Sequence, residues 1–128
     1  MTTTTIFVCI SCRRSLGEGE ESFDQPGRLL IEAIEARLRG DGYGRVSVAG
    51  VDCLAVCKRP CTIALSAADK WTYLIGDLDP DTQVEEIVAA ARSFAASENG
   101  IIPWRERPAS FRKGVIARVP PVDHKELQ

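Results

Sequence analysis

Histidine is almost missing from this chain: His124 is the single one in 128 residues. Without a second, neither a Ser-His-Asp nor a Cys-His arrangement has a convincing base, and His124 lies in a charged C-terminal stretch where a solvated side chain is expected. Aromatic residues make up only 6% of the chain. No apolar run approaches the roughly 20 residues of a membrane-spanning helix, and the start Met-Thr-Thr-Thr-Thr-Ile has neither a basic segment nor a long apolar one. A cytoplasmic location without membrane attachment is the expectation. Charge of one sign is also lacking, with 16 basic residues against 18 acidic ones and a net charge of −2. That balance gives no general attraction to nucleic acid. The 45% apolar content suits a soluble domain with one core, which does not need a metal in order to fold.

What the chain has is five cysteines in two tight groups, Cys9-Ile-Ser-Cys12 and Cys53-Leu-Ala-Val-Cys57-Lys-Arg-Pro60-Cys61. Cytosolic thiols are kept reduced, so grouped cysteines there point to metal ligands or redox catalysis rather than structural disulfides. The other charged features are weaker. Glu18, Glu20 and Glu21 sit in a glycine-containing stretch that reads as a solvated loop. Arg105, Arg107, Arg112, Lys113 and Arg118, with Glu106 as the single acid among them, suit either a solvated face or contact with an anionic partner.

Both cysteine groups follow strand-like segments. Ile6, Phe7 and Val8 form a short apolar run before Cys9, too short for an ordinary helix. Leu30, Ile31, Ile34 and Leu38 recur at helical spacing between Gly27 and Arg39, and Gly40 and Gly42 stop the pattern. Val46, Val48 and Val51 then suggest a strand leading into Cys53. Thr62–Ser66 and Trp71–Ile75 read as an antiparallel hairpin. Asp79-Pro80 offers an N-cap with proline at the first helical position, ahead of the stripe Val84, Ile87, Val88, Ala91 and Phe94. The order β-α-β-β-β-α predicts an α/β, thioredoxin-like domain over residues 1–100, a mixed sheet flanked by helices. Residues 101–128, rich in proline and arginine, are expected as an extended tail packed on that domain through Ile101, Ile102, Trp104 and Phe111. Trp104 and Phe111 are read as core anchors rather than stacking platforms. In this layout the two cysteine-bearing strands run parallel and end on one edge, where open α/β sheets place their sites.

A two-iron, two-sulfur (2Fe-2S) cluster needs four thiolates, and the natural partition is Cys9 with Cys12 and Cys53 with Cys57. Cys61, which follows Arg59-Pro60 into the next strand, is the expected bystander and the alternate ligand. The same sulfurs suit tetrahedral zinc in a structural or metal-handling module. A third reading is a thiol-disulfide oxidoreductase using Cys9 and Cys12, although a polar loop separates that pair from the next helix, whose N-terminus would ordinarily activate a thiolate. The residues leave all three open.

The pair Cys9-Ile-Ser-Cys12-Arg13-Arg14, the group from Cys53 to Cys61, and the tail Trp104-Arg-Glu-Arg-Pro108 through Arg118-Val-Pro-Pro121 resemble a family of small bacterial proteins known as predicted metal-binding, allied to thioredoxin-like 2Fe-2S ferredoxins. The resemblance spans most of the chain. It implies a thioredoxin-like fold, a cluster ligated at Cys9, Cys12, Cys53 and Cys57, and a one-electron carrier rather than an enzyme. It further implies a redox partner protein and a homodimer.

Overall fold

A computed structural model describes residues 3–11, 14–15, 23–24, 26–40, 46–55 and 61–122. Its frame is a five-stranded sheet built from β1 (Thr4–Cys9), β4 (Val46–Val51), β5 (Ile63–Ser66), β6 (Thr72–Ile75) and β7 (Val115–Val119), in the order β4-β1-β5-β6-β7. Two two-residue strands, β2 (Arg14–Ser15) and β3 (Phe23–Asp24), pair antiparallel within the stretch expected to be loop. The helices are α1 (Pro26–Gly40), α2 (Val84–Ala96) and the single turn α3 (Ser110–Lys113), with a 3-10 turn at Trp104–Glu106.

β1 is the hinge of the topology. It runs parallel to β4, from Thr4 opposite Val46 to Cys9 opposite Val51, and antiparallel to β5, with Val8 opposite Ile63. Parallel neighbours need a crossover, and α1 supplies it. Its apolar stripe Leu30, Ile34 and Leu38 is fully buried. Ile87, Val88, Ala91 and Phe94 of α2 are buried as well, and both helices pack against each other and against β1 and β4. Alternation along the strands sends Ile6, Val8, Ile63, Leu65, Tyr73 and Ile75 into this layer. Burying each such side chain contributes about 1.5–3 kcal/mol, so this one core accounts for the fold without a metal. The architecture is the thioredoxin-like one that the sequence predicts.

Three local expectations need correction. Asp79 does not cap α2: its carboxylate accepts the amide of Asp81 at 2.8 Å and its carbonyl accepts that of Gln83 at 3.1 Å, forming a separate turn, and the helix begins at Val84. Aspartate before Pro-Asp satisfies its own turn more readily than an amide farther on. The C-terminal segment does more than lie on the domain, because Val115–Val119 pairs antiparallel with β6 and becomes the edge strand. Ile102 and Phe111 anchor the segment in the core, whereas Trp104 is 60% exposed and is not an anchor. Tyr73 organises the crossing: its hydroxyl accepts the buried Ile102 amide at 3.1 Å and the Arg107 guanidinium at 3.2 Å.

Candidate metal centre

Cys9 is the last residue of β1, and its backbone is held from both sides. Its amide donates to the Thr62 carbonyl at 3.1 Å, and the next amide, of Ile10, donates to Val51 at 2.9 Å. The ladder thus continues past the strand and fixes the direction in which Cys9 leaves the sheet. Its side chain is 1% exposed, with the Ser11 hydroxyl 3.7 Å from Sγ. Cys53 lies two residues beyond Val51, the register partner of Cys9, so the parallel pairing brings both cysteines to one edge.

Cys53 is exposed and sits in a shaped turn. The Ala55 amide donates to Cys53 Sγ at 3.1 Å, and Ala55 itself takes φ = 62°. A left-handed alanine costs of order 1 kcal/mol, and such strain collects at functional turns. The conformation aims an N–H at sulfur, the kind of contact that tunes a metal bound to it.

A second source of positive potential approaches from α1. Gly27 packs directly on the Cys9 carbonyl: a Cβ there would overlap that oxygen and lie 3.1 Å from the Cα of Ile10. The N-terminal end of a 15-residue helix therefore abuts the Cys9 turn. α1 thus reaches the Cys9 backbone although it lies far along the chain, and the contact is with the carbonyl. The sequence signal was Pro26-Gly27 at the helix start, where glycine permits backbone contact. Gly50 plays a similar part, since a Cβ there would come within 2.9 Å of Ile10 Cγ2 and 3.0 Å of Ile31 Cδ1.

Cys61 stands apart. It is fully buried in the main hydrophobic cluster, and it exchanges backbone hydrogen bonds with Leu78 at 3.2 and 3.0 Å. Strand alternation places it on the face of Ile63 and Leu65, whereas Cys9 belongs to the face of Phe7. Cys12 and Cys57 lie outside the described residues. Among the described residues no group of three or more histidine, cysteine, aspartate or glutamate side chains is gathered for a metal, and no helix is long and apolar enough to cross a membrane. The donors that are described fit a thiolate-bound metal: one buried sulfur on a fixed backbone and one exposed sulfur receiving an amide.

This sheet, its crossover and its cysteine-bearing edge define a thioredoxin-like protein. The chain belongs to the family described as "Protein of unknown function (DUF1636)", whose model matches residues 6–121. Among solved structures it is similar to a thioredoxin-like 2Fe-2S ferredoxin from Aquifex aeolicus, with a TM-score of 0.59 at 17% identity, covering 96% of this chain and 98% of that one. A wild-type structure at 1.5 Å of the ferredoxin so described from the same organism gives a TM-score of 0.57 at 19% identity, with 90% and 97% covered. A cysteine-to-serine variant of it gives 0.58 at 18% identity, with 89% and 98% covered. No curated protein matches the chain.

Proposed function

We propose that this protein is an electron carrier that holds a 2Fe-2S cluster through Cys9, Cys12, Cys53 and Cys57 and exchanges electrons with a redox partner protein. The observation that carries the reading is the parallel register of β1 and β4, with Cys9 opposite Val51, which brings Cys9 and Cys53 to one edge. Similarity in fold to a 2Fe-2S ferredoxin supports it. Such a cluster would supply a one-electron couple, needing no acid, base or nucleophile from the chain. The residues contribute in other ways. Gly27 admits the helix N-terminus to the Cys9 turn, the Ala55 amide hydrogen-bonds Cys53 Sγ, and the strand ladder fixes the Cys9 backbone.

Anaerobic purification and reconstitution, followed by iron and sulfide analysis and visible absorption, test this. About two iron and two sulfide per chain are expected, lost in each of Cys9→Ser, Cys12→Ser, Cys53→Ser and Cys57→Ser and retained in Cys61→Ala. A colourless protein with stoichiometric zinc after reconstitution overturns the cluster in favour of a zinc module. The helix N-terminus beside Cys9 favours one further reading, a thiol-disulfide oxidoreductase. Burial of Cys9 opposes it, because a thiolate closed to solvent cannot reach a protein disulfide. Insulin-disulfide reduction that needs Cys9 but not Cys53 would establish that reading instead.

A further inference from the structure

Trp104 is 60% exposed in a segment, residues 101–113, whose other large apolar side chains are buried or half-buried. It is the largest of the exposed apolar side chains among the described residues, while the two anchors of its segment, Ile102 and Phe111, are buried. The indole is nevertheless held. The Arg107 guanidinium stands 5.4 Å from its ring centroid and that of Arg112 5.7 Å. Arg107 is itself fixed, donating from Nε to the Ile102 carbonyl at 2.9 Å and from Nη2 to the Tyr73 hydroxyl at 3.2 Å, and lying 5.5 Å from the Tyr73 ring. An exposed tryptophan on a preorganised arginine loses little conformational freedom on binding, and tryptophan and arginine together are the residue types that dominate interface energies.

The surrounding charge is one-sided. Arg105, Arg107, Arg112, Lys113 and Arg118 against Glu106 give residues 104–118 a net charge of 5 − 1 = +4, so the rest of the chain carries −2 − 4 = −6. Among the described residues Arg105, Arg112 and Lys113 make no ion pair. The position also matters. Arg112 and Lys113 belong to α3, just ahead of β7, whose start pairs with the end of β6 at Ile75. Ile75 faces Ile63, and Ile63 faces Val8, so this is the sheet edge on which Cys9 ends. From β1 to β7 is three strand spacings, about 15 Å. A docking footprint of ordinary size, about 800 Å² per partner and so some 30 Å across, reaches from this surface to the cysteine edge.

We propose that Trp104, Arg105, Arg107, Arg112 and Lys113 form the docking surface for an acidic protein partner. The identification of that partner as the redox partner rests on the electron-carrier reading; the surface itself does not. A protein is favoured over nucleic acid because the indole already has two guanidiniums over its ring and the remainder of the chain is strongly acidic, which repels an extended polyanion while a compact acidic patch meets only the basic face.

The test uses the full chain carrying Trp71→Phe, which leaves Trp104 as the only tryptophan reporter. The probe is hexa-L-glutamate, which even fully extended spans at most about 20 Å and so stays within the basic face. Saturable change in tryptophan emission is expected, weakening about tenfold or more when salt rises from about 50 to 500 mM and again in Arg105→Glu/Arg112→Glu at low salt. Circular dichroism of that variant must match the parent, since both side chains are exposed. Absence of saturable binding, indifference to the double charge reversal, or tighter binding of a single-stranded oligonucleotide of equal charge overturns the proposal. Metal content is measured on the same samples: failure of the parent chain to dock with the cluster present refutes the surface alone, and docking by a colourless protein refutes the cluster alone.

Discussion

Gly27→Ala is the substitution that most directly probes how the fold builds its cysteine edge. The added methyl would overlap the Cys9 carbonyl oxygen, sit 2.9 Å from the carbonyl carbon and come within 3.1 Å of the Ile10 Cα, all backbone atoms. None can yield cheaply, because the Cys9 and Ile10 amides are bonded to Thr62 and Val51 on opposite sides. The helix must withdraw instead, loosening Leu30 and Ile34 from the core. Overpacking of this kind costs about 1–3 kcal/mol, offset by up to about 1 kcal/mol from the better helix propensity of alanine. The net loss is about 1–2 kcal/mol, which at a urea dependence of about 1.5 kcal/mol per molar lowers the midpoint by about 1 M. Gly40→Ala is the control: it lies at the other end of the same helix with nothing within 4 Å of its Cβ position, so stability stays level or rises by up to about 1 kcal/mol. Urea unfolding of the metal-free protein by circular dichroism reads both. Equal midpoints for the two variants would refute the close approach of α1 to Cys9.

Thr4→Val removes a buried hydroxyl that has no hydrogen-bond partner among the described residues, and should raise stability by about 1 kcal/mol in urea unfolding, with a fall marking a missed partner. Tyr73→Phe strands the buried Ile102 amide and one arm of Arg107, and should cost about 1–3 kcal/mol by the same measurement, with near-neutral behaviour counting against the network. Lys70 donates to the Phe94 and Ala95 carbonyls at the end of α2, and Lys70→Met should cost about 1–2 kcal/mol at pH 7. Burial lowers the pKa of the Lys70 ammonium below its ordinary 10.5, so the unfolded chain binds more protons between the two values. Stability from this group is therefore fully present above 10.5 and is lost as pH falls through the lowered folded value, so the gap between wild type and Lys70→Met should widen as unfolding is measured at rising alkaline pH.

The strands that carry the cysteines were legible because Ile6-Phe7-Val8 and Val46–Val51 are short apolar runs bounded by loop residues, too brief for anything but strands. Helix α1 was legible from its stripe. β7 was not, because an edge strand is half solvated: Ala117, Arg118 and Val119 are exposed, and the segment follows proline and arginine, so it looks like a tail until β6 is seen beside it. Trp104 was misread for a related reason. Aromatic residues in a sparse segment are usually its anchors, but Ile102 and Phe111 already fill that role here. The approach of Gly27 to Cys9 joins residues far apart in sequence and shows only once α1 is packed beside the end of β1. Local pattern carries no sign of such a contact beyond the glycine itself.

The two described cysteines of the proposed centre are built for different duties, and this has a measurable consequence. Cys9 is buried, its backbone pinned by two strands and its carbonyl backed by α1. Cys53 is exposed beyond the end of β4, and among the described residues its sulfur accepts one amide, from its own turn. Replacing a buried thiol by a hydroxyl introduces a more polar group and a slightly smaller volume, so Cys9→Ser should destabilise the metal-free protein by about 1–2 kcal/mol. Cys53→Ser replaces one exposed acceptor by another and should change that stability by less than about 0.5 kcal/mol. If both are ligands, both abolish cluster binding, and unfolding of the metal-free chain separates them. Equal destabilisation by the two would mean that Cys53 is packed as Cys9 is, and the asymmetry that gives the edge one rigid and one accessible wall would be wrong.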